Sequence, residues 1–120
     1  MQKSDNSSAE IQFLQGINEI VTPEIRITRS KDGRTGRAIF SFIKPQIFQT
    51  EDYKQIEGMT LIDEEGELKT REVSIRVVNG KKDSIKATYT WKSEVDFQRF
   101  MRFAQRYALN HGLGYSDKKE

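Results

Sequence analysis

Few residues in this chain could do chemistry, and most of those that could are charged. There is one histidine and no cysteine, which excludes thiolate nucleophiles, disulfides and cysteine-ligated metals. Ser74, Ser84 and Ser93 fall on strand-like runs or at a helix start, without the sharp strand-to-helix turn that exposes a catalytic serine. His111 lies at the end of an apolar-periodic segment, where a packed or helix-capping imidazole is the ordinary reading. Asp63, Glu64, Glu65 and Glu67 could hold a hard cation, yet they lack the alternating ligand spacing of a calcium loop, and a solvated hairpin turn accounts for them. No catalytic group, metal or cofactor is assigned.

The remaining candidates are cations. Residues 26–44 hold Arg26, Arg29, Lys31, Arg34, Arg37 and Lys44 against the single acid Asp32, although the formal net charge of the whole chain is only +2. Such a basic stretch contacts either phosphates or acidic protein surfaces. The first alternative is a small RNA- or single-strand-binding sheet with aromatic stacking platforms. However, Arg37-Ala-Ile-Phe-Ser-Phe-Ile43 does not match the glycine-aromatic ribonucleoprotein motif and the net charge is low, which weakens the nucleic-acid reading; composition and spacing go no further than a small binding module. A second stripe, Arg99, Arg102 and Arg106, runs along the C-terminal segment, with Phe103 at its margin.

The elements that must position these groups follow from periodicity. Six short β-rich runs are expected: Glu10–Leu14, Glu24–Thr28, Arg37–Ile43, Gly58–Asp63, Arg71–Val78 and Ser84–Trp91. The last alternates best, with Ile85, Ala87, Tyr89 and Trp91 on one side and Ser84, Lys86, Thr88 and Thr90 on the other. Asn79-Gly80 tolerates the positive φ angles of a tight type I′ hairpin. Glu65-Gly66 suits a slightly longer loop, and Lys31–Gly36 one of several residues. Residues 44–57 read as a crossover in which Thr50–Ile56 can make one helical turn.

After Trp91 the period becomes 3.6. Ser93, with Asp96 three positions on, predicts a capped helix over 93–111 that ends at Gly112. Phe97, Phe100, Met101, Ala104, Tyr107 and Ala108 share one arc and should face the sheet, whereas Phe103 should be partly exposed beside the arginines. An exposed aromatic next to arginines marks interface hot spots. The fold class is α+β: an antiparallel sheet of about six strands with one C-terminal helix packed on it. Residues 1–9 and 117–120 are expected to be tails around a single domain spanning 10–116. No apolar run approaches the roughly 20 residues of a membrane-spanning helix.

Read in order, Ala9–Gly16, Ile25–Phe42, Gly58–Val73, Asn79–Tyr89 and Phe97–Ser116 resemble the photosystem II thirteen-kilodalton protein family, the Psb-named subunit numbered twenty-eight. The most specific pieces are Thr28-Arg29-Ser30 before the glycine loop, Asp63-Glu64-Glu65-Gly66-Glu67 followed by Thr70–Val73, and Arg99-Phe100-Met101-Arg102-Phe103 with a terminal Gly112-Leu113-Gly114. The resemblance implies a non-enzymatic accessory or assembly factor without pigment or cofactor. It would bind peripherally and transiently on the cytoplasmic (in plastids, stromal) side of the thylakoid membrane. Its partners would be photosystem II intermediates, met at the inner antenna subunit's C-terminal tail and the reaction-centre core. The monomer is the expected state. The residues expected to meet partners are Arg26, Arg29, Arg34, Arg37, Arg102, Phe103 and Arg106.

Overall fold

The computed structural model describes residues 8–112 and the strand Ser116–Lys119. Eight strands pair antiparallel in two sheets of four, rather than in one sheet of about six. The first sheet has the order β2-β1-β5-β6, built from β1 (Ala9–Leu14), β2 (Ile17–Asn18), β5 (Met59–Asp63) and β6 (Gly66–Thr70). The second places β7 (Val73–Val78), β8 (Lys81–Trp91), β4 (Gly36–Ile43) and β3 (Glu24–Arg29) side by side, and Ser116–Lys119 (β9) runs parallel to β3 at its far edge. The expected tail 1–9 lies outside the described residues as far as residue 7. Ala9 already begins β1 and is buried.

Alternation decides which side chains meet between the sheets. Ala9, Ile11 and Phe13 from β1 and Met59 and Leu61 from β5 face Ile25, Ile27, Ala38, Phe40, Phe42, Ile85 and Ala87 from the second sheet, all of them buried. Phe13 meets Phe42 edge to face across the gap at 4.9 Å, a geometry the ring quadrupoles favour. The chain passes between sheets at Arg71-Glu72. There the Thr70 hydroxyl donates to the Thr88 carbonyl at 2.7 Å, and the Thr88 N–H donates to the Glu72 carbonyl at 2.9 Å.

One hairpin turn realises its sequence signal. Asn79 and Gly80 adopt φ of 53° and 79°, the paired left-handed conformations of a type I′ hairpin. At Gly36 the reason for glycine is proximity, since a Cβ there would lie 2.5 Å from the Thr28 carbonyl oxygen and 2.7 Å from the Trp91 ring. The crossover contains two short 3₁₀ turns, Gln46–Gln49 and Glu51–Gln55.

The helix, α1, spans Glu94–His111. The Ser93 hydroxyl accepts the Asp96 N–H at 3.1 Å, and Gly112 ends the helix at φ 66°. Instead of lying flat on one sheet, α1 closes the opening between the two. Phe100 packs on Phe40, Tyr89 and Trp91 of the second sheet. On the other side, Asn110 accepts the Ala9 N–H at 3.1 Å, and the His111 Nε2 lies 3.0 Å from the Ala9 carbonyl, so both contacts tie the helix end to β1 of the first sheet.

Candidate functional site

That placement corrects the expectation for Phe103. It is fully buried and stacks on Tyr107 at 5.7 Å, because a helix wedged between two sheets buries a stripe running from Phe103 through Tyr107 and Phe100 to Phe97. Met101 and Ala108, expected within the buried arc, are only half-buried at its margin. Phe103 is a core residue and offers nothing to a partner.

The arginine stripe has a different task from the one expected of it. Asp63, at the end of β5, has no exposed side-chain surface and receives Arg99 in a two-pronged contact, at 2.9 and 2.7 Å, together with Arg106 at 2.9 Å. The Glu65 N–H adds a further bond at 2.9 Å, so the buried carboxylate is satisfied on every side. Glu65, in the adjoining turn, takes Arg102 at 2.8 and 2.9 Å and Arg106 at 2.6 Å. Burial pushes the Asp63 carboxyl up, but the hydrogen bonds from Arg99, Arg106 and the Glu65 amide outweigh it and leave the group below its ordinary range. For Glu65 the bonds from Arg102 and Arg106 hold the carboxyl down to about 2. The turn is thus a hairpin whose Glu64 and Glu67 stay exposed, as expected, while Asp63 and Glu65 anchor the helix. Among the described residues no group of acids, histidines or cysteines is arranged to hold a metal ion.

The basic hairpin divides in the same way. Arg29 is turned inward: its guanidinium lies 3.9 Å over the Phe97 ring, donates to the Gly33 carbonyl at 3.3 Å and stands 3.7 Å from Glu94. Arg34 is exposed in a loop shaped by Asp32, which accepts the Arg34 N–H at 3.0 Å and the Ser30 hydroxyl at 2.6 Å. Arg26 and Arg37 are exposed on the outer face of β3 and β4. They sit diagonally, since Arg26 pairs with Ile39 and Arg37 with Thr28. Of the seven expected contact residues, only Arg26, Arg34 and Arg37 are exposed without an ion-pair partner among the described residues.

Two features escaped the sequence reading. Lys86 and Arg76 share the outer face with Arg26 and Arg37, which alternation suggested strand by strand but could not assemble without knowing that β7, β8, β4 and β3 are neighbours. Glu19 is a buried carboxylate that accepts the N–H groups of Val21 at 2.9 Å, Gln46 at 2.7 Å and Ile47 at 3.1 Å. It caps the first 3₁₀ turn from 27 residues upstream and fastens the crossover to the β1–β2 hairpin. Nothing in the residues around Glu19 signals this.

Two packed sheets closed by a helix, with the helix arginines committed to internal ion pairs and Arg26, Arg37, Arg76 and Lys86 exposed on one sheet face, define a small α+β domain. The chain belongs to the Psb28 protein family, whose pattern matches residues 11–115. It is 60% identical over 113 residues to the Photosystem II reaction center Psb28 protein of Synechococcus sp. (strain CC9311), covering 94% of this chain and 88% of that one. With the protein of the same name from Prochlorococcus marinus (strain MIT 9211) it shares 58% identity over 115 residues, covering 96% and 98%.

Proposed function

We propose that this protein is a non-enzymatic accessory factor of photosystem II. It docks transiently on the cytoplasmic (in plastids, stromal) face of assembly intermediates, against the inner antenna subunit's C-terminal tail and the reaction-centre core. The relatives' shared name supports the photosystem association, and no helix among the described residues is long and apolar enough to cross a membrane. The observation that carries the docking mode is an open sheet edge. The outer edge of β3 is taken by β9, whereas β7 ends its sheet with no strand beyond it among the described residues. Its unpaired N–H and C=O groups suit an extended tail that adds as a further strand.

Binding RNA through a sheet would require exposed aromatics. Phe40, Phe42 and Trp91 are buried between the layers, and Tyr89 packs inward on Phe100, so none stands on the outer face. The docking reading is tested by backbone hydrogen exchange with and without a peptide of the antenna tail. New protection concentrated on β7 is the expected result, and protection confined to α1 would overturn it. Affinity capture from thylakoids should return photosystem II core subunits.

A further inference from the structure

The outer face of the second sheet carries a charge pattern that strand addition at an edge does not use. Its four antiparallel strands carry five exposed cations on this side: Arg76 on β7, Lys81 and Lys86 on β8, Arg37 on β4 and Arg26 on β3. The register sets each in a different row, with Arg76 opposite Ser84, Lys86 opposite Ser41, Arg26 opposite Ile39 and Arg37 opposite Thr28. None of the five makes an ion pair among the described residues, and the carboxylates nearby are Glu24 on the outer strand β3, Glu72 just before β7 and Asp83 at the irregularity of β8.

At one end of this face the cations border exposed aliphatics. Val78 pairs with Lys81 beside the hairpin turn, and Ile43, 61% exposed, stands in the row of Ser84 and Arg76. The irregularity between Arg76 and Val77 leaves Asp83 as the extra residue of β8, so β7 keeps its alternation and Val78 stays on the side of Arg76. Lys82 goes the other way and lies 4.2 Å over the Tyr53 ring.

We infer that this face, from Arg26 and Arg37 to Val78 and Ile43, binds directly to an anionic lipid bilayer surface. The cations are spread over separate rows of four strands and not gathered around one point, as a site for one ligand would gather them. They match a planar surface whose charge is diffuse. The aliphatic pair supplies the shallow apolar contact that interfacial binders add to charge. A nucleic acid would find no aromatic platform here. An acidic protein segment without apolar side chains would leave Val78 and Ile43 uncovered at the end of the array.

The test uses the full chain and protein-free vesicles, so its outcome is separate from that of the antenna-peptide experiment. Co-sedimentation with phosphatidylcholine vesicles containing about 30% phosphatidylglycerol is expected, falling with salt and absent with phosphatidylcholine alone. A combined Arg76→Gln, Lys81→Gln, Lys86→Gln variant should bind about a hundredfold more weakly, at about fivefold per charge, with an unchanged unfolding midpoint. Because the chain has no cysteine, Val78→Cys carries a single environment-sensitive fluorophore. Its emission should shift to the blue on anionic vesicles, while a Leu109→Cys label on the exposed side of α1 should not respond. Failure to pellet at low salt, full binding by the triple variant, or an unresponsive label at 78 would each overturn the inference, as would binding to RNA or an acidic peptide in place of vesicles.

Discussion

At the scale of single residues, burial and pairing separate side chains that look alike in sequence. Phe100 and Phe103 both sit among arginines, and both are fully buried. Truncating either to alanine is expected to cost about 3–5 kcal/mol, read as a lower denaturant midpoint. For Phe103 this makes any loss of partner binding a consequence of instability. Asp63→Asn removes the carboxylate from two guanidinium groups that are themselves mostly buried, at 16% and 20% exposure, and should cost roughly 3 kcal/mol. Arg102 is half-exposed, so Arg102→Gln should cost far less. Arg29→Glu would place a carboxylate over the Phe97 ring beside Glu94 and should destabilise the fold, while Arg34→Glu and Arg37→Glu should leave the unfolding midpoint unchanged. If the basic hairpin contributes to attachment, it is the latter pair that releases the protein from thylakoids at lower salt.

Elements are held in place by a few contacts between strands and by their ends. Gly36 allows β4 to pass close to the Thr28 carbonyl and the Trp91 ring. Gly36→Ala should therefore cost about 1–3 kcal/mol through forced displacement, visible as a lower thermal midpoint. Glu19→Ala would strand the Gln46 and Ile47 N–H groups that begin the crossover's first 3₁₀ turn. Local hydrogen exchange at those two amides should rise well before exchange in β4 or β8, because the loss is confined to the joint between crossover and hairpin. Uniform acceleration across both sheets would contradict that role.

For the whole molecule, the joint between helix and first sheet is electrostatic on one flank, and this gives stability a direction in pH. Both Asp63 and Glu65 titrate below their ordinary range in the folded protein. Their contribution is complete above the unfolded carboxylate values of about 4 and is lost as pH falls through the folded ones, toward about 2 for Glu65. Urea midpoints should hold between neutral pH and about 5 and decline steeply below about 4. Asp63→Asn should flatten the acid limb as well as lower the plateau. An acid limb identical in the wild type and the variant would remove the pair from the account.

Local signals determined much of this molecule by themselves. The alternation of Ser84–Trp91, the Asn79-Gly80 turn, the Ser93 cap and the Gly112 stop are all found where their spacing put them, because each depends on a backbone conformation chosen within a few residues. The family was legible as well, since its motifs cover nearly the whole chain in order. The tertiary structure alone decided how the strands divide. β2 is two residues long and β6 buries little of its surface, so neither carries a hydrophobic pattern strong enough to be read, and the division itself comes from β1 pairing with β5 and with no strand of the second sheet. That division sets the helix into an opening instead of onto a face and takes Phe103 into the core. It also brings Arg99 and Arg106 to an aspartate 36 and 43 residues away. Pairings at such separations depend on loop closures and packing that no local spacing encodes, and the same is true of the cationic sheet face, which exists only once β7, β8, β4 and β3 lie side by side.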